Sequence, residues 1–119
     1  MTHPTRYRVF LVEDEMTIAL MIEGMLEDLG FEVAGMVMRL EPALELAQTI
    51  TADVAILDIN LDGKQSFPIA DILRERGIPF FFATGYGSKG LNDNYEGTFT
   101  LKKPFLSSEL EKAVERAVG

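Results

Sequence analysis

The chain has 119 residues, which suits one domain of ordinary size, and 47% of them are hydrophobic, so a packed core is expected rather than disorder. Acidic residues outnumber basic ones by 19 to 11, and the net charge of −8 argues against nucleic-acid binding and favours a cation site or a basic partner surface. The sequence has no cysteine, which excludes disulfide and thiol chemistry. No apolar run approaches the roughly 18 residues that a membrane helix needs, and the N-terminal residues lack the apolar core of a signal peptide. We therefore expect a cytoplasmic protein without membrane association.

Short apolar runs alternate with amphipathic segments along the chain. Five runs are too short for helices and rich in β-branched or aromatic residues, which predicts strands at 7–12, 31–37, 53–58, 78–84 and 98–103. Three helices are predicted between the first four strands: one ends at Gly30, one opens at Pro42, and one is capped by Ser66. A last helix is predicted to begin at a capping box formed by Ser108 and Glu111. The alternation predicts an α/β fold around a parallel sheet that is covered on both faces.

The segment between the fourth and fifth predicted strands breaks this alternation. Residues 85–97 contain four glycines and an Asn-Asp-Asn run, all of which are poor helix formers. We therefore expect the fourth helix to be degenerate or disordered, with at most one short turn anchored by Leu91 and Tyr95.

Polar side chains follow the predicted strands. Glu13 and Asp14 follow the first strand, and Asp58, Thr84 and Lys103 end the third, fourth and fifth. In open α/β sheets the carboxyl ends of the strands lie at one edge, where ligands bind. Each residue alone has an ordinary explanation as a turn residue, a helix cap or a solvated charge. Their combination at one edge predicts a functional site.

The residue types at this edge suit phosphoryl chemistry. Clustered carboxylates repel one another, which favours a divalent cation, and oxygen ligands suit Mg²⁺. A carboxylate beside Mg²⁺ can attack phosphorus and form an aspartyl phosphate. Lys103, the Thr84 hydroxyl and the metal would each take one oxygen of the transferred group. We therefore predict that Thr84 is a phosphate ligand and that Gly85 lets the backbone pass close to it.

Four segments at these strand ends resemble the motifs of a known family. In chain order, "LVEDE", "ILDINLDG", "FATG" and "KKPF" resemble the acid pair, the phosphoacceptor segment, the threonine segment and the Lys-Pro motif of receiver domains in bacterial two-component response regulators. "PFFFATGYG" and "FPIADIL" are similar to the narrower FAT GUY subgroup, whose members are typically single-domain regulators. The resemblance implies a single receiver domain over 1–119, with its core at 7–118 and a doubly wound, five-stranded, flavodoxin-like sheet in strand order 2-1-3-4-5.

The resemblance also implies roles for the acidic residues. Asp58 would accept a phosphoryl group from a sensor histidine kinase, and a phosphotransfer or downstream signalling protein would be a further partner. Glu13, Asp14, Asp58 and the main-chain carbonyl of Asn60 would hold Mg²⁺.

Two further motifs carry implied roles, and one position departs from the family. Thr84 would hydrogen-bond the phosphoryl group, Lys103 would pair with it, and the peptide bond before Pro104 would be cis.

Most family members carry a switching aromatic three residues before the lysine, where this chain has Thr100 next to Phe99. We therefore expect the glycine-rich segment to carry the signal by ordering on phosphorylation.

Two other classes of function compete with a signalling module. A haloacid-dehalogenase-type phosphatase needs a second Asp two residues after its nucleophile, where this chain has Asn60, and a cap domain that the sequence does not provide. A flavodoxin-like binding protein needs a phosphate-cradling loop after the first strand, which "EDE" does not form. We expect no enzymatic activity beyond Mg²⁺-dependent self-phosphorylation, with Tyr86 hindering water and prolonging the phosphorylated state.

Overall fold

A parallel sheet forms the centre of the molecule. The structure, a computed structural model, describes residues 6–85 and 90–119. The strands in this part of the chain are β1 (Arg8–Val12), β2 (Glu32–Val37), β3 (Val54–Leu57), β4 (Asn60–Leu61), β5 (Lys64–Gln65), β6 (Phe80–Thr84) and β7 (Thr100–Lys102). Five of them form the sheet in the order β2-β1-β3-β6-β7, which confirms the predicted order 2-1-3-4-5. Strands β4 and β5 form a separate two-stranded antiparallel sheet.

Helices cover both faces of the sheet, and the central strands β1, β3 and β6 are accordingly largely apolar. The α-helices within the described residues are α1 (Met16–Asp28), α2 (Leu40–Ala47), α3 (Phe67–Glu75) and α4 (Ser107–Val118). In β1, Phe10 and Val12 pack in the cluster that contains α2 and α3, whereas Val9 and Leu11 pack in the cluster that contains α1 and α4. All four side chains are fully buried, as expected for a two-sided sheet. None of the described helices has the length and apolar character needed to cross a membrane.

Helix α1 ends as its sequence predicts. Gly30 has a φ of +89°, a left-handed conformation that favours glycine. Its N–H donates to the Glu27 carbonyl, and the Phe31 N–H donates to the Leu26 carbonyl. This pair of hydrogen bonds is a Schellman motif, which satisfies carbonyl groups at the helix end and turns the chain towards β2.

Two of the predicted helix starts, those of α2 and α4, differ from the structure. Helix α2 begins at Leu40, so Pro42 lies within its first turn and does not open it. Helix α4 begins at Ser107, and the Glu109 carboxylate accepts a hydrogen bond of 2.7 Å from the Leu106 N–H. The predicted capping box of Ser108 and Glu111 is therefore wrong, because the reciprocal bond forms two residues earlier. Ser66 does occupy the N-cap position of α3, but its side chain makes no capping hydrogen bond.

The predicted fourth helix is absent from the described part of its segment. Between residues 90 and 97 the regular element that follows Gly90 is a single 3₁₀ turn, Asp93–Tyr95. Tyr95 anchors this turn: its ring is buried and stacks on Phe67 with centroids 5.5 Å apart. Its hydroxyl donates to Asp71 of α3. The prediction of a degenerate helix with one short turn anchored at Tyr95 is confirmed for these residues, and residues 86–89 lie outside the described chain.

Candidate functional site

The predicted site residues meet at the carboxyl edge of the sheet. Strand register places them there, because Val12 pairs with Leu57 and Leu57 pairs with Phe82, so the residues that follow these strands are neighbours. The predicted residues at the strand ends, other than Glu13, line a cavity of about 290 Å³. Its lining residues are Asp14, Glu15, Ile18, Asp58, Ile59, Asn60, Thr84, Gly85 and Lys103.

Backbone hydrogen bonds continue from the sheet into the site. The Asp58 N–H donates to the Val12 carbonyl at 2.9 Å, and the Lys103 N–H donates to the Thr84 carbonyl at 2.9 Å. The Glu13 N–H donates to the carbonyl of Val37 at 3.1 Å. These bonds fix the backbones of Asp58, Lys103 and Glu13 to neighbouring strands, which limits the positions their side chains can take.

Glu13 lies beneath the cavity and holds the lysine. Its side chain is only 1% exposed, and its Oε1 accepts a hydrogen bond of 2.6 Å from Lys103 Nζ. Its Oε2 accepts from the Glu15 N–H at 3.2 Å. Both oxygens of Glu13 are thus engaged by donors of the chain, whereas Asp14 and Asp58 line the cavity itself.

Asp58 shares the same lysine at longer range. Lys103 Nζ lies 3.4 Å from Asp58 Oδ2, and the Asp58 side chain is 13% exposed. Burial raises the pKa of Asp58 to about 7; the charge of Lys103 opposes this rise, and the nearby Glu13 and Asp14 carboxyls add to it. Burial alone would lower the pKa of Lys103, but the hydrogen bond to Glu13 and the negative charges of Asp58 and Glu13 outweigh it and raise that pKa.

Three carboxyl groups lie close enough together to share a cation. One oxygen from each of Glu13, Asp14 and Asp58 lies within 4.8 Å of the others. Lys103 carries one positive charge beside these three carboxyl groups, so it can compensate only part of their negative charge. Hard oxygen donors and uncompensated negative charge fit Mg²⁺, which takes a few carboxylates and keeps several waters.

The chain matches a known protein family over most of its length. The response regulator receiver domain family matches residues 9–115. The chain belongs to this family.

Similar proteins agree with that assignment. The receiver domain is 35% identical to SdrG from Sphingomonas melonis Fr1, whose solution structure aligns with a TM-score of 0.82 over 96% of this chain and 98% of SdrG. It is 30% identical to the transcriptional regulatory protein PdtaR of Mycobacterium tuberculosis over 116 residues, 94% of this chain but 57% of PdtaR. The receiver domain of the sensor histidine kinase PA1611 from Pseudomonas aeruginosa PAO1, described with a magnesium ion coordinated in its active-site cleft, is 26% identical, with a TM-score of 0.79 over 97% of this chain and 99% of that domain. The chain spans little more than half the length of PdtaR.

Two polar residues of the receiver domain stand at the cavity wall. Thr84 is 1% exposed at the end of β6. Among the residues that the structure describes, none other than its chain neighbours lies within 4 Å of a Cβ added to Gly85. Asn60 Oδ1 accepts the Gly63 N–H at 2.9 Å, so its amide serves the local turn. The ligand roles of these residues stay predictions.

The residues predicted to modulate the switch lie within two residues of β7 or in it, apart from Gly85 and Tyr86. Phe99 packs edge to face on Phe81 with centroids 5.9 Å apart, and the Arg116 guanidinium lies 4.6 Å above its ring. Thr100 is partly buried in β7. The peptide bond between Lys103 and Pro104 is cis, as the resemblance implied. Tyr86 lies outside the described residues.

Sequence reasoning missed one element at the site, the β4–β5 hairpin. The sequence pattern predicts no strand between 58 and 66, although the Asp-Gly pair at 62–63 is a typical signal for a tight hairpin turn. The Asp62 N–H in this turn donates to Asp14 Oδ2 at 3.1 Å.

Proposed function

We propose that this receiver domain accepts a phosphoryl group on Asp58 from the phosphohistidine of a sensor kinase, in a reaction that requires Mg²⁺. The observation that carries the proposal is the position of Asp58: it lines the open cavity, 3.4 Å from the Lys103 ammonium and clustered with the Asp14 and Glu13 carboxyls. In the proposed step an Asp58 oxygen attacks phosphorus, the phosphorus–nitrogen bond to the donor imidazole breaks, and the imidazole leaves.

The residues around Asp58 have distinct tasks in this proposal. Lys103 is held by Glu13 so that its ammonium stays beside Asp58 and pairs with an oxygen of the transferred group. Thr84, at the end of the buried strand β6, binds a second phosphoryl oxygen. Because both oxygens of Glu13 already accept hydrogen bonds, we assign it to positioning Lys103 and supporting the metal site, with Asp14, Asp58 and the Asn60 carbonyl as the groups facing the metal.

Magnesium would supply the positive charge that the site lacks. When bound, it neutralises the carboxylates and polarises the phosphoryl group. The pKa of Asp58 is raised to about 7 without a metal, and the ionised carboxylate is the form that attacks phosphorus. A cation next to Asp58 favours that ionised form.

An apolar surface beside the cavity provides a place for the kinase. Met16, Leu20 and Met21 of α1 are between 46% and 51% exposed, and Leu106 is 68% exposed. Ile18 and Lys103 line both the phosphoacceptor cavity and the apolar groove next to it, which also contains Met21, Pro104 and Phe105. We assign this surface to the phosphohistidine-bearing part of the kinase, because a donor docked there places its phosphoryl group at the cavity mouth. We place this exchange in the cytoplasm.

The competing phosphatase function lacks support at position 60. A phosphatase of that type needs an acid there to protonate the leaving group, whereas Asn60 is an amide engaged with Gly63. We therefore propose that the chemistry ends at the aspartyl phosphate and that the domain acts as a signalling module rather than as an enzyme.

The test is labelling by a small phosphodonor. The domain is incubated with acetyl phosphate, with and without Mg²⁺, and the phosphoryl adduct is measured by intact mass. Asp58→Asn should abolish the adduct, and the matched change Asp62→Asn, on an exposed neighbouring acid, should not. Labelling that persists in the Asp58 variant overturns the assignment, and sustained turnover of a generic phosphomonoester would favour the phosphatase.

A further inference from the structure

The β4–β5 hairpin has the geometry of a tight two-residue turn. Asn60 pairs with Gln65 and Leu61 pairs with Lys64 in antiparallel register. The two residues between them, Asp62 and Gly63, have φ values of +54° and +84°. Positive φ at both central positions defines a type I′ turn, whose twist matches that of the strands it joins.

This hairpin is fixed to the body of the domain. Leu61 is 1% exposed and belongs to the core cluster beneath α2 and α3. At the base of the hairpin the Ser66 N–H donates to the Ile59 carbonyl at 2.8 Å. Asn60 Oδ1 accepts the Gly63 N–H at 2.9 Å and closes the turn from inside. The tip therefore has a defined position although its side chains face solvent.

The tip reaches across to the other loop of the site. The Asp62 N–H donates to Asp14 Oδ2 at 3.1 Å, joining two loops whose residues lie 48 positions apart in sequence. The acceptor is a carboxylate, so this hydrogen bond is stronger than one between neutral groups. Asp14 is also the acid whose neighbours, Glu13 and Asp58, repel it.

We propose that the β4–β5 turn is a positioning element for the metal site: the Asp62 N–H fixes Oδ2 of Asp14 and leaves the other oxygen for Mg²⁺. This inference rests on the proposed Mg²⁺ site. Without the hydrogen bond, repulsion among the carboxylates would favour conformations of Asp14 turned away from the cluster. Groups that hydrogen-bond a metal ligand from outside orient it, and their loss commonly weakens metal binding by about 10-fold to 100-fold.

The test uses a glycine substitution with a matched control. Gly63 and Gly30 have φ values of +84° and +89°, and a Cβ added to either meets nothing within 4 Å. Alanine therefore strains both positions alike, but Gly30 follows α1 at the opposite edge of the sheet. Gly63→Ala should raise the Kd for Mg²⁺ about 10-fold, and Gly30→Ala should leave it unchanged. Gly63→Asn should recover most of the affinity, because Asn tolerates the left-handed conformation.

Binding is measured by titrating Mg²⁺ alone against the backbone amide signals of the unphosphorylated domain, with urea unfolding of each variant beside it. Equal affinity of Gly63→Ala and the unaltered chain overturns the inference while leaving the metal site intact. If the unaltered chain binds no Mg²⁺, both the positioning role of the turn and the proposed Mg²⁺ site are overturned. Hydrogen exchange gives a second readout that needs no turn variant: the Asp62 amide should exchange slowly in the metal-free chain and faster in Asp14→Ala, and an unprotected amide in the unaltered chain refutes the proposal.

Discussion

Replacing Asp58 by Asn should stabilise the metal-free domain at neutral and alkaline pH. Burial raises the pKa of Asp58 to about 7, with Glu13 adding to the rise and Lys103 opposing it, whereas an unfolded chain ionises this carboxyl at about pH 3.9. The folded state therefore holds the proton more tightly. The stabilisation from the protonated carboxyl is complete below about pH 4 and is lost as the pH rises to about 7.

The size of the effect follows from the separation of the two pKa values. A separation of about three pH units at about 1.36 kcal/mol per unit sets an upper limit of about 4 kcal/mol. Because the Asp58 side chain is still 13% exposed, water solvates part of its charge, and we expect Asp58→Asn to gain about 2 kcal/mol at pH 8 and close to zero at pH 4. Saturating Mg²⁺ should remove the gain by stabilising only the unaltered chain.

The assay is urea unfolding at the two pH values, with and without Mg²⁺. Far-UV circular dichroism is the suitable signal, because the chain contains no tryptophan. Asp62→Asn serves as the control, since an exposed substitution should change stability by less than about 0.5 kcal/mol. An Asp58→Asn variant that is no more stable than the unaltered chain at pH 8, or a gain that is the same at pH 4, would show that Asp58 ionisation does not oppose folding.

Three further changes test other parts of the molecule. Tyr95→Phe removes the hydrogen bond to the exposed Asp71 carboxylate and should cost about 1 kcal/mol in urea unfolding; an unchanged unfolding free energy would mean that the bond adds nothing to stability. Thr84→Ala should slow labelling by acetyl phosphate about 10-fold, the equivalent of one hydrogen bond to a charged group, and an equal rate would remove Thr84 from the phosphoryl ligands. Met21→Ser should slow transfer from the histidine kinase but not from acetyl phosphate; equal slowing with both donors would refute a docking role for the α1 surface.

The strands and the site residues were predictable for the same reason. In β1 and β3 a run of apolar residues stops at an acid, Glu13 or Asp58. The apolar character of the run predicts the strand, and the abrupt change to a charged residue indicates where the strand reaches the edge of the sheet. Local sequence order was enough here because parallel strands bring their carboxyl ends together.

Contacts between distant segments were not predictable in this way. The 2.6 Å contact of Lys103 with Glu13 decides which acid holds the lysine, and it joins residues 90 positions apart. The start of α4 was mispredicted because several capping patterns overlap between residues 106 and 111, and Glu109 rather than Glu111 closes the bond. The hairpin strands are only two residues long, too short for any periodic pattern.

The aromatic packing of β6 has a consequence for how such a domain can diversify. Phe80 and Phe82 contact Tyr95 on one face of the sheet, and Phe81 contacts Phe99 on the other. With rings packed on both faces, β6 should resist displacement up to Thr84. We therefore expect a ligand bound at Thr84 to shift Gly85 rather than the strand itself. On the same ground, we expect substitutions after Gly85 to alter partner recognition without changing the geometry of the site behind it.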